Sequence, residues 1–115
     1  MSNSVRSCVI HLAQARTGIP DPAGERSVIV LHRGTLDVAL GAPAGTSVQT
    51  LHEQDEVYII VRGRSVLFHD DRRDPFEPGY FLFVAAGIEY QFEDISDDLL
   101  IWRVFYGPKG GELPA

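Results

Sequence analysis

The sequence predicts an all-β fold, a sandwich or a barrel, formed by one domain. Short runs rich in Val, Ile, Leu, Phe and Tyr recur between Gly, Pro and Asp residues, as in such folds. Helical periodicity is hard to find anywhere along the chain. The length of 115 residues suits one domain, and a hydrophobic content of 44% is sufficient for a core. We therefore expect a single domain over residues 1–115.

The apolar runs give the expected strands, and the residues between them give the turns. The expected strands are residues 27–32, 35–40, 47–51, 56–61, 65–69, 80–84, 89–92 and 99–105. Arg33-Gly34 can supply the positive φ of a hairpin, and Pro78-Gly79 reverses the chain. Residues 70–74, which are all charged, are expected to form a solvated loop tip. The segment after Tyr106 has no core-forming pattern and is expected to be mobile or to lie on the surface.

Residues 57–61 are apolar at both odd and even positions, so both faces of this strand must be covered. The cover is either a second sheet or another subunit, which excludes an isolated single sheet. Residues 9–12 could add as an edge strand, also to a neighbouring protomer. We therefore expect a homodimer.

The charge balance argues against nucleic acid and anionic membranes as partners. Lys and Arg total 10 against 16 Asp and Glu, which gives a net charge of -6. The short basic pair Arg72-Arg73 is flanked by Asp70, Asp71 and Asp74, so it forms no basic patch.

Cys8 is the single cysteine, which excludes an intrachain disulfide and a paired-cysteine zinc site. No apolar run approaches the roughly 18 residues that span a bilayer, and the first residues lack a signal-peptide apolar stretch. The cytoplasm is the expected location.

The candidate chemistry lies in residues 49–56. Thr50 and His52 are two positions apart, so on a strand they share a face, to which Glu56 returns. Imidazole and carboxylate together suit Fe(II), Mn(II), Ni(II) or Zn(II). His52 and Glu56 are therefore the candidate ligand pair, although a buried His beside a carboxylate can equally be a hydrogen-bonded pair without an ion.

The same stretch resembles the first motif of the cupin family. That motif runs glycine, five residues, His, one residue, His, three or four residues, Glu, six residues, glycine. The spacing from His52 through Glu56 to Gly63 agrees with it. Thr50 stands in place of the first His, and residues 43–44 stand where the first glycine is expected.

The second cupin motif is glycine, five residues, Pro, one residue, glycine, two residues, His, three residues, Asn. Gly79 and Gly87 are in register with its two glycines. Ala85 replaces the proline, Tyr90 the histidine and Asp94 the asparagine. The resemblance covers about residues 27–112, and it includes a tail similar to that of small uncharacterised bacterial single-domain cupins.

The resemblance implies a cupin-type double-stranded β-helix, a jelly-roll barrel, over about residues 27–106. A full family site has three His and one Glu, whereas here His52 and Glu56 remain, with Tyr90 as the third candidate ligand. A tyrosine binds a metal well only when it is deprotonated. Gln49, Thr50 and Tyr90 are the candidate residues for binding a small molecule.

Three functions follow as alternatives. The first is a cupin that binds a small molecule and has a depleted divalent-metal site. The second is a metal-dependent enzyme of the oxygenase, isomerase or lyase type that acts on a small organic acid or phenol. The third is a non-catalytic regulatory or oligomerisation barrel. The fold alone cannot choose among these reactions.

Overall fold

The computed structural model describes residues 6–45 and 51–113. Its elements are α1 Leu12–Arg16, β1 Ser27–Arg33, β2 Leu36–Gly41, β3 Asp55–Arg62, β4 Ser65–His69, β5 Arg72–Phe76, β6 Phe81–Val84, β7 Tyr90–Glu93 and β8 Leu100–Tyr106. The prediction of an all-β fold is confirmed. The expected strand at 47–51 falls almost wholly outside the described residues. In the described part of the chain, no helix is long and apolar enough to cross a membrane.

The strands form two antiparallel sheets whose inner faces pack on one another. The larger sheet has the order β1-β2-β8-β3-β6 and the smaller one β5-β4-β7. Side chains of both sheets meet in the core, because apolar residues alternate along each strand and share its inward face. The core residues are Tyr58, Ile60, Leu67, Phe76, Leu82, Val84, Tyr90, Phe92, Leu99 and Ile101.

The register between β3 and β8 sets the positions of the site residues. Glu56 lies opposite Phe105, and Tyr58 lies opposite Arg103. Because alternate residues of a strand share a face, all four side chains lie on the inner side of the larger sheet. The neighbouring outward positions are apolar.

The prediction of a loop tip at residues 70–74 is wrong, because β5 begins at Arg72. The turn consists of Asp70 and Asp71, with φ of 46° and 57°, which is the two-residue hairpin geometry that both residues tolerate. β5 is an edge strand, so its first residues are exposed and charged. Because these residues are charged, the sequence alone does not indicate a strand here.

The prediction of an edge strand at residues 9–12 is also wrong. Residues Leu12–Arg16 form the helix α1, which packs on the outer face of the larger sheet. Ala15 is buried there in one cluster with Leu40 and Leu100. The apolar residues near the amino terminus therefore cover this protein's own sheet.

Part of the same outer face is left uncovered. Ile59 pairs with Phe81, Val57 pairs with Phe83, and the side chains of Ile59, Phe81 and Phe83 are exposed. A second subunit on this face, and hence the homodimer, stays a prediction.

The segment after β8 is laid along the surface beside the start of β3. Gly110 N donates to the carbonyl oxygen of Glu53 at 2.8 Å. Asp55 is buried, and its Oδ2 accepts from Glu112 N while its Oδ1 accepts from Ala86 N, both at 2.9 Å. Asp55 thus joins the carboxyl-terminal segment to the β6–β7 turn.

Candidate ligand-binding site

His52 lies in the loop before β3, where backbone contacts fix its position. Its carbonyl oxygen accepts from Gly87 N at 2.8 Å, which holds the loop against the β6–β7 turn. His52 Nε2 lies 3.8 Å from Glu56 Oε2. The His52 side chain is 34% exposed and that of Glu56 is 1% exposed. His52 therefore lies at the surface end of the pair and Glu56 in the interior of the barrel.

A chain of hydrogen bonds joins Glu56 to the smaller sheet. The Tyr58 hydroxyl donates to Glu56 Oε2 at 2.9 Å, and the hydroxyls of Tyr58 and Tyr90 are 2.5 Å apart. A phenol carries a single hydrogen, so when Glu56 is ionised the Tyr90 hydroxyl is the donor to Tyr58. This chain of hydrogen bonds links β3 to β7 and fixes the orientation of the three side chains.

Aromatic rings fill the barrel below this chain. The ring centroids of Tyr58 and Phe92 are 5.3 Å apart, and those of Phe76 and Phe92 are 5.6 Å apart, both edge to face. The site is therefore confined to the end of the barrel where His52 lies.

Arg103 brings a positive charge to the site. Its Cζ lies 5.8 Å from the centroid of the Tyr58 ring and 5.3 Å from that of the Phe105 ring. A Cβ at Gly41 would lie 3.1 Å from Arg103 Cδ, so the absence of a side chain there makes room for the arginine. Sequence reasoning missed Arg103, which lies in no motif. It also assigned Tyr58 to an apolar run, although the two-residue spacing from Glu56 was a usable signal.

Burial sets the protonation behaviour of His52 and Glu56. It raises the pKa of Glu56, against the opposing effects of the Tyr58 hydrogen bond, the nearby Tyr90 hydroxyl and the Arg103 charge. Burial, and then the Arg103 charge, lower the pKa of His52 below 6.5. His52 is therefore neutral at pH 7, and we treat its contact with Glu56 as a contact of a neutral imidazole and not as a salt bridge.

The two phenols stay protonated. Burial raises the pKa of Tyr58 and of Tyr90 above the ordinary phenol value. Both hydroxyls therefore remain hydrogen-bond donors over the physiological range.

Two buried nitrogen atoms of this site have no hydrogen-bond partner among the described residues: His52 Nε2 and Arg103 Nε. The 3.8 Å between His52 Nε2 and Glu56 Oε2 is too long for a hydrogen bond. A buried polar group without a partner costs about 1–3 kcal/mol. Both side chains also lie against Phe105, since the His52 ring centroid is 4.9 Å from that of Phe105. The residues that the structure describes thus leave both nitrogens open to a further hydrogen-bond partner.

The structure brings together the three predicted site residues that it describes. The rings of His52 and Tyr90 are stacked with centroids 6.1 Å apart, and Glu56 lies beside both. Gln49 and Thr50, the other predicted ligand-binding residues, lie outside the described residues.

The donors at the site do not fit a resident divalent cation. Among residues 6–45 and 51–113, no group of three or more His, Cys, Asp or Glu side chains could hold a metal ion, and the remaining residues include none of these types. Tyr90 is a neutral phenol bonded to Tyr58. The Arg103 charge repels a cation. His52 and Glu56 are thus left as a pair of donors without a third strong one.

A groove of about 440 Å³ lies at the surface beside the site, and His52 forms part of its wall. Thr35, Gln54 and Gly107 line it as well. Gln54 Nε2 donates to the carbonyl oxygens of Thr35 at 2.9 Å and Gly107 at 3.0 Å, which braces the rim. The volume lies within the range of small-molecule sites.

The free energy of unfolding should depend on pH because the Glu56 carboxyl is buried. Its folded-state pKa is raised above the ordinary 4.5, so its stabilising contribution is complete below pH 4.5 and is lost as the pH rises through the folded-state pKa. Because glutamine does not titrate, Glu56→Gln should gain stability relative to the wild type as the pH rises from 4.5. Urea unfolding over a pH series measures this difference. Glu77→Gln, at an exposed carboxylate, is the control, and equal pH profiles for the two variants would contradict the burial effect.

No protein-family model matches the chain. An uncharacterised protein of Streptomyces coelicolor is 36% identical over 64 residues, which are 56% of this chain and 61% of that relative. The match therefore spans less than two thirds of the relative's own length.

Three solved structures share the fold. A protein of unknown function from Rhizobium leguminosarum has a TM-score of 0.76 at 20% identity, covering 90% of this chain and 100% of that one. A cupin superfamily protein from Desulfitobacterium hafniense has a TM-score of 0.63 at 19% identity, covering 71% and 76%. The DMSP lyase DddQ from Ruegeria pomeroyi has a TM-score of 0.62 at 17% identity, covering 70% and 46%. These likenesses confirm the predicted barrel and concern the fold alone.

Proposed function

We propose that this chain, a small barrel of the cupin fold, binds a small organic molecule at the end of the barrel where His52 lies. The observation that carries the proposal is the pair of buried nitrogens, His52 Nε2 and Arg103 Nε, without partners among the described residues. A molecule with polar atoms at this position would satisfy both. The free energy lost by burying them would then be recovered on binding.

The surroundings support a binding role. The groove of about 440 Å³ gives access to His52, and the Phe105 ring offers an apolar wall. The hydrogen-bonded chain of Glu56, Tyr58 and Tyr90 holds these side chains in one arrangement. Ligand binding therefore costs little additional side-chain entropy.

A panel of small organic molecules, including neutral, anionic and cationic compounds, tests the proposal by thermal shift and native mass spectrometry. We expect at least one class to raise the unfolding temperature, since a ligand at 100 times its Kd adds about 2.7 kcal/mol of stability. His52→Ala should abolish the effect. His11→Ala is the matched control, because His11 is exposed and directly precedes α1, which packs on the outer face of the larger sheet. A silent panel, or binding that His52→Ala leaves intact, would refute the binding role.

The second candidate is an enzyme, for which the buried Glu56 beside His52 is the favouring observation. A neighbour in fold is named a lyase, and a carboxyl with a raised pKa beside a neutral imidazole can exchange protons with a substrate. The metal-dependent form of this alternative needs His52, Glu56 and Tyr90 as ligands of Fe, Mn, Ni or Zn. Elemental analysis of protein purified without chelators separates the two candidates. Near one equivalent of transition metal that His52→Ala loses would favour the metal enzyme over the binding protein.

A further inference from the structure

We propose that the molecule bound at this site is a small organic acid, held as its carboxylate by Arg103 and His52. The inference rests on the proposed function and adds the chemical class of the ligand. It also assigns to Arg103 the role of the residue that selects for negative charge.

The first step is the unusual state of the Arg103 guanidinium. The Nε atoms of three other arginines have partners: Arg26 Nε donates to Ala42 O at 2.7 Å, Arg62 Nε to Asp98 O at 3.1 Å, and Arg73 Nε to Glu93 Oε1 at 2.8 Å. Arg103 Nε is buried and has none among the described residues. A guanidinium is always charged and matches the two oxygens of a carboxylate. A carbonyl oxygen would supply the acceptor that Nε lacks, whereas a carboxylate would supply the acceptor and also balance the charge.

The second step excludes Glu56 as that partner. Glu56 Oε2 is bonded to the Tyr58 hydroxyl at 2.9 Å. In the part of the chain that the structure describes, the Arg103 side chain forms no ion pair with a carboxylate within 4.0 Å. The partly exposed Arg103 side chain thus carries a positive charge without a direct counter-ion among the described residues. A neutral or cationic ligand would leave that charge unpaired.

The third step concerns His52. In the tautomer with hydrogen on Nε2, the imidazole can donate to an oxygen of the ligand. His52 and Arg103 both lie against the Phe105 ring, at 4.9 Å for the imidazole centroid and 5.3 Å for Arg103 Cζ. Two donors at one aromatic wall suit a carboxylate whose flat or apolar remainder packs on that wall. The groove beside His52 has about 440 Å³ of space for the remainder of such an acid.

Calorimetry on the full chain with matched pairs of probes tests the inference. The pairs are benzoate with benzamide and acetate with acetamide, which differ in charge and hardly in shape. We expect at least one acid to bind about tenfold or more tightly than its amide, as for a charge-assisted hydrogen bond. If both amides bind as tightly as their acids, or if neither acid binds, the ligand is not a carboxylate of this class.

Variants then place the selectivity at one residue. Arg103→Gln should remove the preference for the acid, and Arg103→Lys should restore part of it, because the charge returns without the planar donors. Arg72→Gln, at an exposed arginine on the β5 edge, should keep the full preference. An unchanged preference in Arg103→Gln would overturn the role of Arg103. Circular dichroism checks the fold of each variant, and the comparison of acid with amide on the wild type needs no variant.

The outcomes also separate this inference from the proposed function. Binding of neutral or cationic members of the earlier panel that depends on His52, with no preference for acids, would leave a binding barrel and remove the carboxylate. A panel with no binding at all would remove both.

Discussion

Gly63→Ala is expected to destabilise the protein by roughly 3 kcal/mol, because positive-φ strain and a backbone clash add together. Gly63 has φ of +83°, a conformation that costs an alanine about 1–2 kcal/mol. A Cβ there would lie 2.6 Å from Leu99 Cα and 2.7 Å from Leu99 N. Leu99 directly precedes β8 and is buried in the core, so its backbone has little room to move away.

Gly87→Ala is the matched control for this prediction. Gly87 has nearly the same φ, +81°, but nothing lies within 4 Å of a Cβ built on it. It should lose about 1–2 kcal/mol for the backbone strain alone. Urea unfolding of both variants measures the difference, and equal losses would mean that the close approach to Leu99 is relieved at no cost.

Tyr58→Ala is expected to cost about 3–5 kcal/mol, the usual loss for a large aromatic truncated in a core. Tyr58 is completely buried and contacts the rings of Tyr90 and Phe92. Its removal leaves a cavity between the two sheets. Thermal and urea unfolding measure the loss.

Tyr58→Phe separates the hydroxyl from the ring. This variant keeps the packing but removes the group between Glu56 and Tyr90, and it should cost about 1–3 kcal/mol. Tyr80→Phe, at a half-exposed tyrosine outside the site, should stay within about 0.5 kcal/mol of the wild type. If both variants behave like the wild type, the chain of hydrogen bonds contributes nothing to stability.

Local patterns in the sequence predicted much of the framework. The expected strand at 65–69 has the bounds of β4, since its apolar residues lie between the turns at both ends. The glycines of the two motifs are explained by the structure, with Gly63, Gly79 and Gly87 all at positive φ. The pairing of His52 with Glu56 was also predicted from spacing, although His52 lies in a loop and not in a strand. These features depend on neighbours in sequence, which a pattern records.

The two wrong predictions concern segments whose conformation depends on packing and solvent exposure and not on their own sequence pattern. β5 is an edge strand, so its charged residues suit solvent and read as a loop. The pattern of residues 9–12 predicts a strand, but residues 9–11 have no regular secondary structure and Leu12 begins α1. The packing of α1 against Leu40 and Leu100 outweighs weak local preferences. In both places the segment's conformation depends on what lies beside it.

The amino-acid sequence alone predicted an all-β barrel and His52 with Glu56 as a candidate pair, because strand alternation and motif spacing are local properties. Tertiary structure decided the rest of the site: Tyr58 meets Tyr90 across 32 positions of the chain, and Arg103 faces Tyr58 through the β3–β8 register. A shift of that register by one residue would turn Arg103 outward. No local pattern encodes such a register, so the positive charge inside the barrel became visible only when the strands were paired.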